Sequence, residues 1–399
     1  MTIKPRRFLH VVQISFFSDP EERSPAQLLD AWPTLLDIAE AACRSGNRVS
    51  LVQASSHSER LIQRGVRCYF LPFGEGQPAH RGDAALGELL GCLAPDVLHV
   101  HGLGFPRDVL SLASLAPGVP IILQDHANGP PRIWRRPLWR RQMSVAAGLA
   151  FCALEQARPF ADAGLVYPET QLYEVPESTS RFAPGDRQEA RRVTGIKGDP
   201  AVLWVGHLNA NKDPLTVLEG ISAAARELPK LQLFCCFGAA PLMHDVQSRI
   251  ASDPELRGRV HLLGRVPHER IEQLMRAADL FVLGSHREGS GYSLIEALAC
   301  GLPPVVTDIP SFRSLTGAGR VGMLWPCDDP YALREAIRSV AARADSAMRT
   351  AVRAHFDLEL SIDSVGLKLA ALYEDVLGRK RHAAAAARRP QEHGAIRTS

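Results

Sequence analysis

The sequence predicts an α/β protein made of two doubly wound parallel sheets in series, facing each other across a cleft, with a last helix returning to the first domain. Three observations carry this reading. Short apolar runs alternate with longer segments of helical spacing. The alternation pauses once, over the polar stretch 177–200 with its Pro184, Gly185, Gly198 and Pro200, and then restarts. Beyond the last unit, Val365, Leu369, Leu372, Tyr373 and Val376 share one helical face that needs a partner surface, and the helices of the second sheet are already allotted.

Taken in order, the apolar runs at 8–14, 49–53, 66–71, 97–100 and 121–123 read as strands of the first domain. A helix is expected over 27–44, with Gly46 just past its end as a C-terminal cap. After the pause, strands are expected at 201–205, 232–237, 260–263, 280–283 and 304–307, and helices at 214–227, 269–277, 293–300 and 331–341. The expected divisions are 1–180 and 181–357 for the two domains, 358–378 for the returning helix, and 379–399 for a basic, disordered tail. Ligands in such folds sit outside the carboxyl ends of the strands, so chemistry is sought there.

Composition narrows the function classes. The chain has 399 residues, 46% hydrophobic and 22% charged, which excludes disordered and collagen-like classes. No apolar stretch approaches the ~20 residues of a membrane span, and no apolar core follows the basic N-terminus, so no cleaved secretion signal is expected. Net charge is +3, of which the tail from Arg379 carries +5, so −2 remains for the body. That argues against a general nucleic-acid binder. The eight cysteines form no C-x-x-C pair and mostly lie in apolar runs, as expected of buried thiols in the cytoplasm.

The most informative segment is His286-Arg287-Glu288-Gly289-Ser290-Gly291-Tyr292-Ser293-Leu294-Ile295-Glu296, between an apolar run and a helix. Its glycines allow close backbone approach, and free N–H groups at the helix start favour a phosphate. Glu288 and Glu296 bracket that position. A carboxylate repels phosphate, so both suit hydroxyls of a sugar or ribose. A nucleotide sugar combines these groups. The structural alternative is a capping box, Ser293-x-x-Glu296, in which Glu296 serves the backbone alone. A second element is Gly206-His207-Leu208-Asn209-Ala210-Asn211-Lys212, where a strand ends at glycine and Lys212 can act as a point charge on phosphate.

These residues resemble the glutamate, seven residues, glutamate signature of family-4 retaining glycosyltransferases of the GT-B fold. The similarity continues through Ala297–Val306, and includes 263–266, 277–282 and 322–330. The resemblance is specific over 201–342 and weaker over 97–183 and 361–378. It implies two Rossmann-like domains, the first on the acceptor side and the second binding the nucleotide sugar. It further implies glycosyl transfer from a nucleotide-diphosphate sugar to an acceptor hydroxyl, with retained configuration, in polysaccharide, lipopolysaccharide or glycolipid synthesis, without a metal or other cofactor.

By the same resemblance Glu288 and His126 stand at the reacting sugar. His207, Lys212, Ser290, Gly291 and Tyr292 hold the diphosphate, and Glu296 holds the ribose. Gly264, Arg265 and Val266 meet the base, while Gly289, Ser293 and Leu294 lie at the donor sugar or helix start. His101 is placed on the acceptor side, and His99 is undecided between the two sides of its strand.

Three departures accompany it. His207 replaces the family's arginine. The loop after the first strand, 15–25, has no glycine. Val175-Pro176-Glu177-Ser178 replaces a Pro-Asn-Gly turn and is expected to bear on domain closure more than on chemistry. Two alternatives follow: a catalytically impaired nucleotide-sugar-binding or scaffold protein, and a nucleotide-sugar epimerase on the same fold. Finally, 132–141 packs five arginines and two tryptophans. Trp134, Arg135, Arg136, Trp139, Arg140 and Arg141 suit peripheral contact with the inner face of a membrane, and hence a lipid-linked acceptor.

Overall fold

The computed structural model describes residues 8–72 and 79–387. The first domain holds strands β1 (His10–Ser15), β2 (Arg48–Ala54), β3 (Glu59–Gln63), β4 (Val66–Leu71), β5 (Val97–His101), β6 (Ile121–Gln124), β7 (Ala146–Phe151) and β8 (Leu172–Glu174). Its helices are α1 (Pro25–Ala31), α2 (Pro33–Arg44), α3 (Ala79–Leu93), α4 (Pro106–Leu115), α5 (Arg136–Val145) and α6 (Arg158–Asp162). The sheet order is β3-β4-β2-β1-β5-β6-β7-β8, parallel except for the edge pair β3–β4.

A linker carrying α7 (Arg187–Thr194) leads to the second domain. There β9 (Ala201–Val205), α8 (Pro214–Ala225), β10 (Gln232–Cys236), α9 (Met243–Ser252), β11 (Val260–Gly264), α10 (His268–Ala277), β12 (Leu280–Leu283), α11 (Tyr292–Ala299), β13 (Pro304–Thr307), α12 (Pro310–Leu315), β14 (Met323–Trp325) and α13 (Pro330–Ala341) follow in turn. This sheet is parallel throughout, in the order β11-β10-β9-β12-β13-β14. Two doubly wound sheets are thus present, as the alternation predicted.

The expected helix 27–44 is two helices. Pro33 has no N–H and biases Trp32 away from helical geometry, so α1 ends there and α2 begins. Strands β3, β7, β8 and β14 were not anticipated. β3 is a polar edge strand, β7 reads Ala-Ala-Gly-Leu-Ala-Phe with little β-branching, and the other two have three residues each.

After α14 (Ser346–Glu359), α15 (Ile362–Ala387) crosses to the first domain. Val365, Leu369, Leu372, Tyr373 and Val376 pack with α2 residues such as Leu36 and Ile38 in one apolar cluster. At Gly366 the helices come so close that a Cβ would lie 2.2 Å from the Ala41 carbonyl oxygen. The expectation of disorder from residue 379 is corrected in part. The helix runs to Ala387, supported by an Arg379–Asp375 ion pair of 2.7 Å and by an alanine run of high helix propensity. Residues 388–399 of the expected tail lie outside the described residues.

The arginine–tryptophan segment divides. Trp139 on α5 is buried, stacked near Phe160, so it does not reach a membrane. Ile133 and Trp134 are 71% and 67% exposed, with Arg132 over the Trp134 ring. Arg135, Arg140 and Arg141 are exposed beside them, and Arg136 is half-buried. No helix among the described residues is long and apolar enough to cross a membrane. All eight cysteines are free thiols, five buried, with Cys92 exposed.

Candidate functional site

The second sheet presents two loops at the carboxyl ends of adjacent strands β9 and β12. They are laced together. The His286 amide donates to the Asn211 carbonyl (2.8 Å), and Asn211 Nδ2 donates to the Arg287 carbonyl (2.9 Å). Across them the Lys212 ammonium pairs with the Glu288 carboxylate; both side chains are mostly buried. The cation expected at the diphosphate and the acid expected at the sugar are therefore direct neighbours.

Gly291 precedes α11 in a left-handed conformation (φ +72°), and a Cβ there would lie 2.5 Å from the Phe312 ring. With Gly291 at the N-cap, the capping-box alternative fails, because Ser293 sits inside the helix. Glu296 instead accepts from His268 Nε2 and is 2% exposed. Burial raises its pKa, while His268 opposes that rise; the bond to Glu296 in turn raises the pKa of His268. The Tyr292 ring lies parallel to the His268 ring, and burial raises its hydroxyl pKa. Leu294 lies at the helix start, the second of its two expected places: it is the third residue of α11, its side chain is fully buried in the core, and its N–H is spent on the Gly291 carbonyl.

His207 Nδ1 accepts from the Ala239 amide (3.0 Å), which fixes the tautomer carrying a proton on Nε2. Arg265, exposed, approaches the same spot: a Cβ on Gly238 would lie 3.3 Å from His207 Cε1 and 3.8 Å from an Arg265 terminal nitrogen. An arginine from β11's end therefore stands near the histidine that takes the arginine position. Gly264 gives its carbonyl to the Phe237 amide (2.9 Å), and Val266 is half-buried.

The first domain contributes side chains rather than backbone. His126 Nδ1 forms an ion pair of 2.8 Å with Glu177 Oε2, and Glu177 Oε1 accepts from Ser290 N (2.8 Å) and Ser290 Oγ (3.1 Å). Glu177 thus joins His126 of the first domain to the glycine-bearing loop of the second, so its turn, expected to bear on closure more than chemistry, also enters the candidate site. The approach is tight. A Cβ on Gly289 would fall 2.0 Å from Glu177 Oε1 and 3.0 Å from the Ala127 amide nitrogen. Gln156 Nε2 clamps the same loop through the carbonyls of Glu288 (2.8 Å) and Gly289 (3.0 Å). Glu177 carried a signal, an acid where the family turn is uncharged; Gln156 carried none.

His101 is corrected too. It is fully buried, bonded to His126 Nε2 (3.1 Å) and to Gln13 Oε1 (3.3 Å), so it supports His126 from behind and does not face an acceptor. His99 is resolved as a core residue against the Tyr373 hydroxyl of α15 (2.8 Å). Burial and the neighbouring histidines hold His101 well below its ordinary pKa and push His99 down to about 3. His126 differs: burial lowers its pKa, but Glu177 and Asp125 outweigh that and raise it. Asp125 is raised to about 7 by burial and then by Glu177. His126 thus lies beside two acids that favour its protonated form.

Among the described residues, Asp213, His286 and Asp328 bring ligand-type atoms within 4.8 Å of one another; His286 and Asp328 are exposed. A separate interdomain cavity of about 160 Å³ lies between Asn128, Gly129 and Gln156 on one side and Arg287, Glu288 and Pro310 on the other.

Comparison with known proteins places these features. Residues 186–354 match the family of glycosyl transferases group 1. The chain is 25% identical over 260 residues to a GDP-mannose:cellobiosyl-diphosphopolyprenol alpha-mannosyltransferase of Xanthomonas oryzae pv. oryzae, covering 63% of this chain and 66% of that protein. It is 30% identical over 241 residues to a D-inositol 3-phosphate glycosyltransferase of Geodermatophilus obscurus, covering 57% of this chain and 53% of that protein. In both cases the matched stretch is less than two thirds of the relative's own length. Anabaena HepE, solved in complex with UDP, superposes with a TM-score of 0.69 over 92% of this chain and all of that one, at 16% identity.

Proposed function

We propose, for a GT-B protein whose residues 186–354 belong to the group 1 glycosyltransferases, that it moves a sugar from a nucleotide-diphosphate sugar to an acceptor hydroxyl with retention of anomeric configuration. The observation that carries this reading is the junction of Lys212, Glu288 and Ser290 at the strand ends of the second domain with Glu177 and His126 from the first. Breaking the bond between sugar C1 and the diphosphate oxygen builds negative charge on phosphate and positive charge on the ring. Lys212, the Nε2–H of His207, the Arg265 guanidinium and the amides at Gly291 and Tyr292 offset the first. Glu288 accepts from sugar hydroxyls and offsets the second. The acceptor oxygen bonds to C1 on the face the diphosphate leaves, and its proton passes to the departing phosphate.

Glu296 is offered to the ribose, which must share or replace its bond to His268. The related mannosyltransferase acts on a diphosphopolyprenol, and UDP occupies the structural neighbour. Both favour a nucleotide donor and synthesis of a polysaccharide, lipopolysaccharide or glycolipid. No bound cofactor is assigned a role. The test is transfer and donor hydrolysis with UDP-, GDP- and ADP-sugars. Turnover by the native chain and its loss in Glu288→Gln, with nucleotide binding retained, is expected; binding without turnover on any acceptor would instead identify a nucleotide-sugar-binding protein.

Exposed Ile133 and Trp134, ringed by arginines, favour peripheral contact with an anionic membrane surface. Sedimentation with phosphatidylglycerol vesicles, but not with phosphatidylcholine vesicles, is expected, and Trp134→Ala should weaken it. Equal sedimentation of native and variant chains would remove this contact.

A further inference from the structure

The first domain carries a second cavity, of about 370 Å³, lined in part by His126. Its size falls within the roughly 300–1,000 Å³ of small-molecule sites. The glycine-free loop after β1 builds one wall with Ser15, Phe17 and Ser18, and the break between α1 and α2 supplies Trp32 and Leu35 from the other. His126 closes the end.

Three features define what it would take. Phe17 is held by an edge-on contact with Phe105 (4.7 Å between ring centroids) and by Gln53, whose Nε2 donates to its carbonyl (2.6 Å), so this aromatic face is fixed. Trp32 is half-buried at a helix break set by Pro33, which places a second aromatic group in the wall. Ser15 lines this cavity, and its Oγ is fully buried with no hydrogen-bond partner among the described residues. A buried hydroxyl without a partner costs stability unless something bonds to it. No lysine or arginine among the described residues lines the cavity, and the single basic group, His126, is already paired with Glu177.

We infer that this cavity is the acceptor site and that it selects an uncharged ring, a neutral sugar or aryl glycoside, over a sugar phosphate. This rests on the glycosyltransferase reading above, because His126 is what links the cavity to the reacting sugar. Aromatic walls cover the C–H faces of a ring, and the exposed Ser18 meets its hydroxyls. A phosphate monoester would enter beside apolar groups with no free cation, at the full cost of desolvating its charge. The loop that lacks glycine thus replaces backbone approach by side-chain walls.

The test uses the whole chain and titrates 4-nitrophenyl glucoside, glucose 6-phosphate and inositol 1-phosphate by calorimetry, with UDP and GDP titrated separately. The neutral glucoside should bind at least tenfold more tightly than either phosphate. Trp32→Ala should cost it tenfold or more, Trp32→Phe should restore most of that, and UDP or GDP affinity should not move. Ser18→Arg, on an exposed loop position, should shift the preference toward the phosphates without loss of thermal stability. Equal or tighter binding of the phosphates by the native chain, no binding of the glucoside, or indifference of the glucoside to Trp32→Ala each overturns the assignment. Failure of both nucleotides to bind while the glucoside binds as described would overturn the donor reading alone.

Discussion

The two sheet edges that face the cleft do their work by different means. In the second domain the edge is made of two short loops, one with glycine and a helix start at consecutive positions, joined by a Lys–Glu pair whose members lie 76 residues apart. In the first it is a relay of side chains brought from distant points. Glu177, His126, His101 and Gln13 follow one another, and Tyr373 of α15 bonds both Gln13 and His99. The contrast teaches that the second domain's glycine-bearing loop is a property of local backbone, whereas the first domain's relay is a property of packing. The two meet at Glu177, which bonds Ser290 on one side and His126 on the other.

The sharpest test of the contrast is Glu288→Gln, which keeps shape but removes charge. It should lower turnover on the order of 10²–10³-fold, the range for losing one transition-state electrostatic contact, with nucleotide affinity within a few-fold. A variant at native speed would break the assignment. Next comes Gly289→Ala, where the added methyl has no room beside Glu177 and Ala127. It should cost about 1–3 kcal/mol by urea unfolding, as overpacking does, and slow turnover. Full stability would show that the two edges are not in register as described.

Glu177→Gln should act on the first domain without disturbing the second. The His126 pKa, read by NMR titration, should fall, because its raised position depends on Glu177. A raised histidine pKa favours the fold below about 6.5 and loses that benefit as pH rises through the raised value. The native chain's advantage over this variant should therefore shrink with increasing pH. The smallest readout is a slope. Asp125, raised from 3.8 to about 7, favours the fold at low pH and loses that contribution between about pH 4 and 7. Asp125→Asn should flatten the pH dependence of Tm across that window, and an unchanged slope would remove Asp125 from the network.

The same contrast explains what could be read in advance. Strands β9, β12 and β13 match their apolar runs residue for residue, since each is buried on both faces and flanked by turn residues. The strands not foreseen are a polar edge strand, two of three residues each, and β7, an apolar run of alanine and glycine with little β-branching. The glycine-bearing loop and Lys212 were legible because their spacing is local. His101 was read as a cleft residue, although its strand end is covered by His126 and α15 packs behind the neighbouring His99. Gln156 could not be found at all: it is 132 residues from the carbonyl it clamps.

The sequence by itself determined the two doubly wound sheets, the returning helix and the glycine-bearing loop before α11. Strand periodicity, helix starts and glycine conformations are settled among near neighbours in the chain. Only the tertiary structure decided that Lys212 pairs with Glu288, that Glu177 binds His126 to Ser290, and that a loop without glycine becomes one wall of a cavity. Each of these depends on which side chains from remote segments arrive at one point with the right charge, and no local pattern encodes that meeting.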